Sequence, residues 1–339
     1  MNAMIILVRR LGGLLLLLVA AVVSAAAQAG PLTIKFFDVG QADAILVTCP
    51  DGKHHLLIDS GDTRYPGSSA SFKADMGSAF PDKKEITTVV ASHPHADHIG
   101  NMKWVLENFE VGTYVDNGQK TDAASFGALE KVKVKLRKSG KLTYVNGKQT
   151  SFGHIAFCPD VDLEIFEPWA VSTSLSDPNN RSVGVHLTYK NKSFLFVGDM
   201  EEEAEKVMLT NFTESESGEL RASVLKVGHH GSDTSSTDKF VRHVMPELVV
   251  VSCGKKDVGT NTGYKHPRLS TVREYFDWFV EKPPPATETL PKHDQLWAFD
   301  RDSSQWRQQT RPAAMWLTPN DGTVTLSCDG QKIDIQTEK

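Results

Sequence analysis

The sequence predicts an α/β fold, and three observations predict it. Apolar, β-branched runs of strand length alternate with segments of helical composition: Ile86 to Ala91 before Ile99 to Leu106, Ser223 to Val227 before Ser236 to Val244, and Glu247 to Cys253 before Ser270 to Val280. Turn-forming residues at 40–42 and 50–53 set off short strands near the start, which implies antiparallel pairing there. Ligand-type side chains fall where three predicted strands stop, the place where ligands gather in α/β sheets.

At 339 residues the chain has length for one large domain or two smaller ones, with ample apolar content for a core. Its amino terminus reads as a secretory leader. Arg9 and Arg10 precede an apolar run from Leu11 to Ser24, and Ala27-Gln28-Ala29 is a small-x-small cleavage site. The uninterrupted apolar stretch is shorter than the roughly 20 residues a bilayer helix needs. Residues 1–29 are therefore expected to be a signal peptide and 30–339 one exported domain, periplasmic or secreted, with no membrane span after cleavage. Losing two arginines moves the balance from 37 basic against 42 acidic residues to 35 against 42, a formal charge of about −7. So acidic a chain does not advertise a long phosphate-tracking groove. Lys103, Lys131, Lys133, Lys135, Arg137 and Lys138 could still form a local basic strip, although helical lysines usually make a solvated face. Cys49, Cys158, Cys253 and Cys328 are widely spaced without a CxxC pair, so two disulfides and burial as small apolar residues both remain open.

Taken in order, Pro31 to Val39, Asp43 to Cys49 and His54 to Asp59 read as three strands, and Thr63 to Phe80 as a long Gly- and Ser-rich loop. Asp122 to Lys138 is a helix, Val161 to Phe166 a strand, and Ser182 to Tyr189 with Ser193 to Val197 a hairpin leading to Gly198-Asp199. Glu201 to Asn211 has helical composition. Pro283-Pro284-Pro285 stops the helix ending at Val280, and Pro283 to Arg311 reads as a loop excursion. Ala313 to Thr318 and Thr323 to Cys328 are expected to close the chain as a hairpin.

The densest chemistry lies in Ser92-His93-Pro94-His95-Ala96-Asp97-His98, three imidazoles and a carboxylate on a strand-to-helix loop. Such a loop suits one or two borderline-soft cations of the zinc type, which take His nitrogen and Asp oxygen. Asp199 and the pair His229-His230 stand at two further strand ends. Each alone is an ordinary turn residue about as often as a ligand, but the joint pattern is hard to obtain by chance.

These segments, with Phe37-Asp38-Val39-Gly40-Gln41-Ala42-Asp43, Leu57-Ile58-Asp59-Ser60-Gly61, Phe196-Val197-Gly198-Asp199 and Leu225-Lys226-Val227-Gly228-His229-His230-Gly231-Ser232, resemble the metallo-β-lactamase fold. More narrowly they resemble its ComEC-type branch, the hydrolase domain of DNA-uptake proteins and of free-standing secreted relatives. The resemblance implies an αββα sandwich with a site at one edge of two sheets, holding one or two divalent metal ions, zinc or manganese. It places His93 and His95 on a first metal, Asp97 and His98 on a second, Asp199 between them, and His230 completing the second. His229 would face the substrate, and Asp59 would orient a ligand imidazole. The choice between His229 and His230 stays open, because neighbours on an extended segment point to opposite sides.

Two departures stand out. The superfamily usually supplies another His where this chain reads Asn179-Asn180-Arg181-Ser182-Val183, so Ser182 or Asn180 stands in weakly, with His186 too far along the strand. Ala42 also replaces a common Gly. The implied activity is hydrolysis by a metal-bound hydroxide, with Asp97 orienting the nucleophile and His229 or His266 assisting the leaving group. His266 before Pro267 is more often a turn residue. The substrate expected is a phosphoester, in particular a phosphodiester such as single-stranded DNA or a smaller phosphodiester. An amide, lactone or β-lactam is the alternative, and a catalytically weak binding module the third reading.

Overall fold

The computed structural model describes residues 30–339 apart from positions 65, 82, 147–152, 156, 168–174, 212–219 and 286–290. The leader expected over 1–29 lies outside the described residues. Two mixed sheets face each other. The first runs, in chain order, through β1 (Leu32–Phe36), β2 (Ile45–Thr48), β3 (His55–Ile58), β4 (Glu85–Val90), β5 (Glu110–Asp116) and β6 (Thr143–Asn146). Its other edge is built at the end of the chain by β15 (Val324–Cys328) and β16 (Ile333–Thr337), giving the order β16-β15-β1-β2-β3-β4-β5-β6. The second sheet contains β7 (Val161–Phe166), β8 (Gly184–Tyr189), β9 (Lys192–Phe196), β10 (Val224–Lys226), β11 (Leu248–Val251) and β14 (Met315–Leu317), in the order β14-β11-β10-β9-β8-β7. As expected, β1 to β3 pair antiparallel, whereas β4 is parallel to both of its neighbours.

Alternation along the strands makes the layers. Ile45 and Val47 point between the sheets, and Leu46 points to the opposite face. There α1 (Pro66–Ala79), α3 (Met102–Asn108) and α4 (Ala124–Lys138) cover the first sheet through Phe72, Met76, Met102, Val105 and Leu129. On the second sheet, α5 (Glu202–Asn211), α6 (Asp238–Val244) and α8 (Leu269–Glu281) bury Met208, Phe240, Val241, Val272 and Trp278. Three four-residue helices, α2 (Ala96–Ile99), α7 (Asn261–Tyr264) and α9 (Thr318–Asp321), lie in connections. The result is helix, sheet, sheet, helix, in agreement with the predicted sandwich.

Four expectations are corrected. Thr63 to Phe80 is mostly the helix α1, because Phe72, Met76 and Phe80 recur at a spacing of four and all bury against the first sheet. The excursion after Pro283 contains a two-stranded ribbon, β12 (Gln295–Asp300) with β13 (Gln305–Thr310). The closing segments are not a hairpin: β14 pairs parallel with β11 while β15 pairs with β1, so the chain crosses between sheets. Lys133 leaves the supposed basic strip. It is buried, bonds Asp116 and Glu130 at 2.6 Å each, and lies over the rings of Tyr114 and Tyr144. The cysteine question resolves as one disulfide, Cys49–Cys158, with Cys253 and Cys328 as buried thiols.

Candidate metal centre

Chain segments from both sheets meet at one edge: the connections before β2 and β8, and the loops that leave β3, β4, β9 and β10. Backbone bonds stitch them together. Ser60 N donates to His98 O at 2.7 Å, Gly61 N to Asp43 O at 2.7 Å, Val183 N to Ser92 O at 2.8 Å, and His229 N to Gly198 O at 3.1 Å. Gly100 is required by this closeness, since a Cβ there would lie 2.6 Å from the carbonyl oxygens of Ala96 and Gly61.

Asp43, His98, Asp199 and His230 are all buried, and they offer ligand atoms that lie within 4.8 Å of one another. His98 Nε2 is 3.1 Å and His230 Nε2 3.4 Å from Asp199 Oδ2. The far sides of both rings are fixed. His98 Nδ1 is 2.7 Å from Asp59 Oδ2, and His230 Nδ1 is 2.9 Å from Ser252 O. A carbonyl only accepts, so His230 carries its proton on Nδ1 and, when neutral, presents a lone pair at Nε2. The Asp59 carboxylate imposes the same tautomer on His98. His98 Nε2, His230 Nε2, Asp199 Oδ1 and Asp43 Oδ1 are buried with no hydrogen-bond partner. Buried polar atoms rarely stay unpaired, and imidazole with carboxylate is the donor set of a divalent cation of the zinc type, so these residues fit one.

Asp43 was not anticipated as part of the site. It approaches the histidines from behind, 3.5 Å from His230 Nδ1 and 3.9 Å from His98 Nδ1, and it pairs with the ammonium of buried Lys226. Lys226 also donates to Gly198 O at 3.0 Å and lies 3.9 Å from Asp199 Oδ1. A signal was present in both cases. Asp43 closes the Asp-Val-Gly-Gln segment, and a lysine in the apolar strand Val224–Lys226 is costly to bury without a partner.

The remaining predicted residues gather nearby. Asp97 Oδ2 is 3.7 Å from His230 Nε2, and His93 Nε2 is 3.9 Å from Asp199 Oδ2. His93 Nε2 and His95 Nδ1 are 2.9 Å apart and so face each other. His229 Nε2 lies 3.8 Å from Asp199, while its Nδ1 is 3.0 Å from Glu201 Oε1. The two adjacent histidines do not point to opposite sides as an extended segment would require. Both have left-handed backbone (φ 47° and 55°), which turns both rings toward Asp199. Of the two stand-ins for the absent His, Ser182 Oγ is 3.3 Å from His93 Nδ1, whereas Asn180 Oδ1 accepts from Glu201 N and Ala204 N at the start of α5. His186 Nε2 bonds Arg221 O instead. His266 is buried, with Nδ1 3.0 Å from Gln41 Nε2 and its ring stacked on His230.

Charge follows from this packing. Burial opposes a proton on His98, but Asp199 and Asp59 outweigh it and hold the ring well above the ordinary imidazole range. The same contest, with Asp199 and Asp43, raises His230. Burial works against the Asp199 carboxylate, yet His230 and His98 hold it well below its usual range. Burial and the charge on His98 keep His93 low, and burial with the neighbouring His230 drops His266 to about 2, so both remain neutral.

A family model described as the metallo-beta-lactamase superfamily matches residues 37–255. ComE operon protein 3 of Bacillus subtilis (strain 168) is 26% identical over 252 residues, which are 71% of this chain and 30% of that protein. Competence protein ComA of Neisseria gonorrhoeae is 25% identical over 234 residues, 69% of this chain and 28% of that protein. The chain thus spans under a third of the length of either relative. A solved structure, the metallo-beta-lactamase fold protein YhfI from Bacillus subtilis, is 11% identical with a TM-score of 0.40, covering 64% of this chain and 85% of that chain. The match over most of its length and the two competence relatives lead to one conclusion: the chain belongs to the metallo-beta-lactamase superfamily and is related to its ComEC-type members.

Proposed function

We propose that this chain is an exported metal-dependent hydrolase of phosphoesters, with a phosphodiester such as single-stranded DNA or a smaller diester as substrate. The observation that carries it is the convergence of the unpartnered Nε2 atoms of His98 and His230 on Asp199. A divalent cation held there acidifies water from a pKa of 15.7 to about 7, so that a nucleophile exists at neutral pH. His98, Asp199 and His230 would hold this cation. Asp97, next to His230 Nε2, would complete its donors or take the proton of the attacking water. A second cation would rest on His93 and His95, with Asp199 between the two. Ser182 gives that side a weaker donor than a histidine, so it would be the more loosely loaded. His229, anchored by Glu201 and half-buried at the rim, would donate to a phosphate oxygen.

Residues 30–339 would act as one unit, since the last strands complete the first sheet. The leader motif supports export, and so does a disulfide, a bond typical of oxidising compartments. No helix of the described residues is long and apolar enough to cross a membrane. The competence relatives favour a nucleic-acid phosphodiester, and the acidic balance favours a smaller one. Manganese- or zinc-loaded protein should hydrolyse bis(p-nitrophenyl) phosphate or a single-stranded oligonucleotide, with activity lost in Asp97→Asn. Turnover of nitrocefin or a lactone with none of any phosphoester would replace this reading with the carbonyl one.

A further inference from the structure

Arg64 follows the loop that leaves β3 and is fixed unusually well for a half-exposed side chain. Its backbone N donates to Asp62 Oδ1 at 2.7 Å, and Nε lies 3.1 and 2.9 Å from the two oxygens of that buried carboxylate. Nη2 is 2.8 Å from Asp62 Oδ2 and 3.6 Å from Asp97 Oδ1. Asp97 in turn lies 3.7 Å from His230 Nε2, so the guanidinium is one side chain removed from the metal-facing nitrogen. The Arg64 side chain is 43% exposed, and the exposed residue Tyr264 flanks it, with a hydroxyl oxygen that can accept from the guanidinium.

We propose that Arg64, steadied by Asp62 and flanked by Tyr264, binds a nonbridging oxygen of the scissile phosphoester and sets the preference of this site for anionic phosphoesters over neutral carbonyl substrates. This rests on the phosphoester reading above. Asp62 engages only Nε and Nη2 of a fork that has five N–H donors, which leaves donors on the open side. Asp97, 3.6 Å from the guanidinium, by itself opposes an anion there. A fixed guanidinium reverses that locally, and its planar fork matches phosphoryl oxygens. It also meets the charge that spreads over those oxygens during transfer. An amide or lactone presents one neutral carbonyl oxygen and gains far less.

The test uses manganese-loaded protein, bis(p-nitrophenyl) phosphate, inorganic phosphate as competitive inhibitor, and nitrocefin. Arg64→Met should weaken phosphate inhibition and raise KM for the diester by about ten- to a hundred-fold, with metal content unchanged. Arg64→Lys should recover part of the loss. If Arg64→Met does not fold, Asp62→Asn, which keeps the Arg64 guanidinium but removes the carboxylate that steadies it, should raise KM and leave metal content intact. Phosphate inhibition and KM that stay at wild-type values in a folded, metal-loaded Arg64 variant overturn the proposal while leaving the phosphoesterase reading in place. A wild-type protein that hydrolyses nitrocefin and no phosphoester overturns both.

Discussion

At the residue scale, the cluster depends on groups that never face a substrate. Lys226 is a full charge in the sheet interior, held by Asp43 below and by the Gly198 carbonyl. Lys226→Met fits the strand but leaves Asp43 buried without its partner, so it should cost about 3–5 kcal/mol in urea unfolding. A loss under 1 kcal/mol, on the scale of an exposed pair, would show that the pair is not load-sharing. Asp59 fixes the tautomer of His98, and Asp59→Asn should weaken metal affinity about 10- to 100-fold while the fold persists. Titration with a fluorescent zinc chelator reads this directly, and unchanged affinity would free His98 from Asp59. The histidines and Asp199 were legible because ligand types crowd the strand ends. Asp43 and Lys226 left a mark in the sequence but not their direction, and Gln41 and Arg64 left none, since a lone polar residue shows where it points only after the sheets pair.

At the element scale, legibility followed periodicity. The β-branched runs and the hairpin of β8 with β9 were plain, because burial on one or both faces leaves a mark in the sequence. α1 was hidden by its small and polar residues, with only Phe72, Met76 and Phe80 to betray it. The ribbon β12–β13 was hidden because it joins neither large sheet and β13 buries none of its side chains, while β12 buries only Leu296 and Ala298. The crossing from β14 to β15 was hidden because a turn such as Pro319-Asn320-Asp321-Gly322 does not say whether the next strand joins the same sheet. The disulfide joins the end of β2, in the first sheet, to the turn before β7, in the second, across 109 residues of sequence. It fastens the layers whose shared edge forms the site. Cys49→Ala with Cys158→Ala should therefore lower stability by about 2–5 kcal/mol. Equal melting temperatures with and without the bond would contradict this.

At the scale of the whole molecule, the edge where two sheets meet concentrates charge that each sheet alone would expel. Among the residues themselves, Asp199, Asp59 and Asp43 are balanced by the Lys226 ammonium and by protons on His98 and His230, whose folded values stand well above the ordinary one. Protonation therefore contributes stability that is fully present below about pH 6.5, the unfolded value, and is lost as pH rises through the raised folded values. A divalent cation needs the same nitrogens unprotonated, so its affinity runs the other way and climbs with pH. Chelator-treated protein should melt at lower temperature as pH rises above 6.5, while the gain in melting temperature on adding zinc grows over the same interval. A zinc-induced gain that shrinks with pH would refute the balance described.

The account stands on cations gathered by residues far apart in sequence, and metal content tests it most directly. Protein equilibrated with zinc or manganese, then desalted and analysed by inductively coupled plasma mass spectrometry, should retain about one or two ions per chain. His98→Ala with His230→Ala, folded by circular dichroism, should retain almost none. A wild-type chain that emerges free of metal, or a double variant that keeps the wild-type content, would contradict the account.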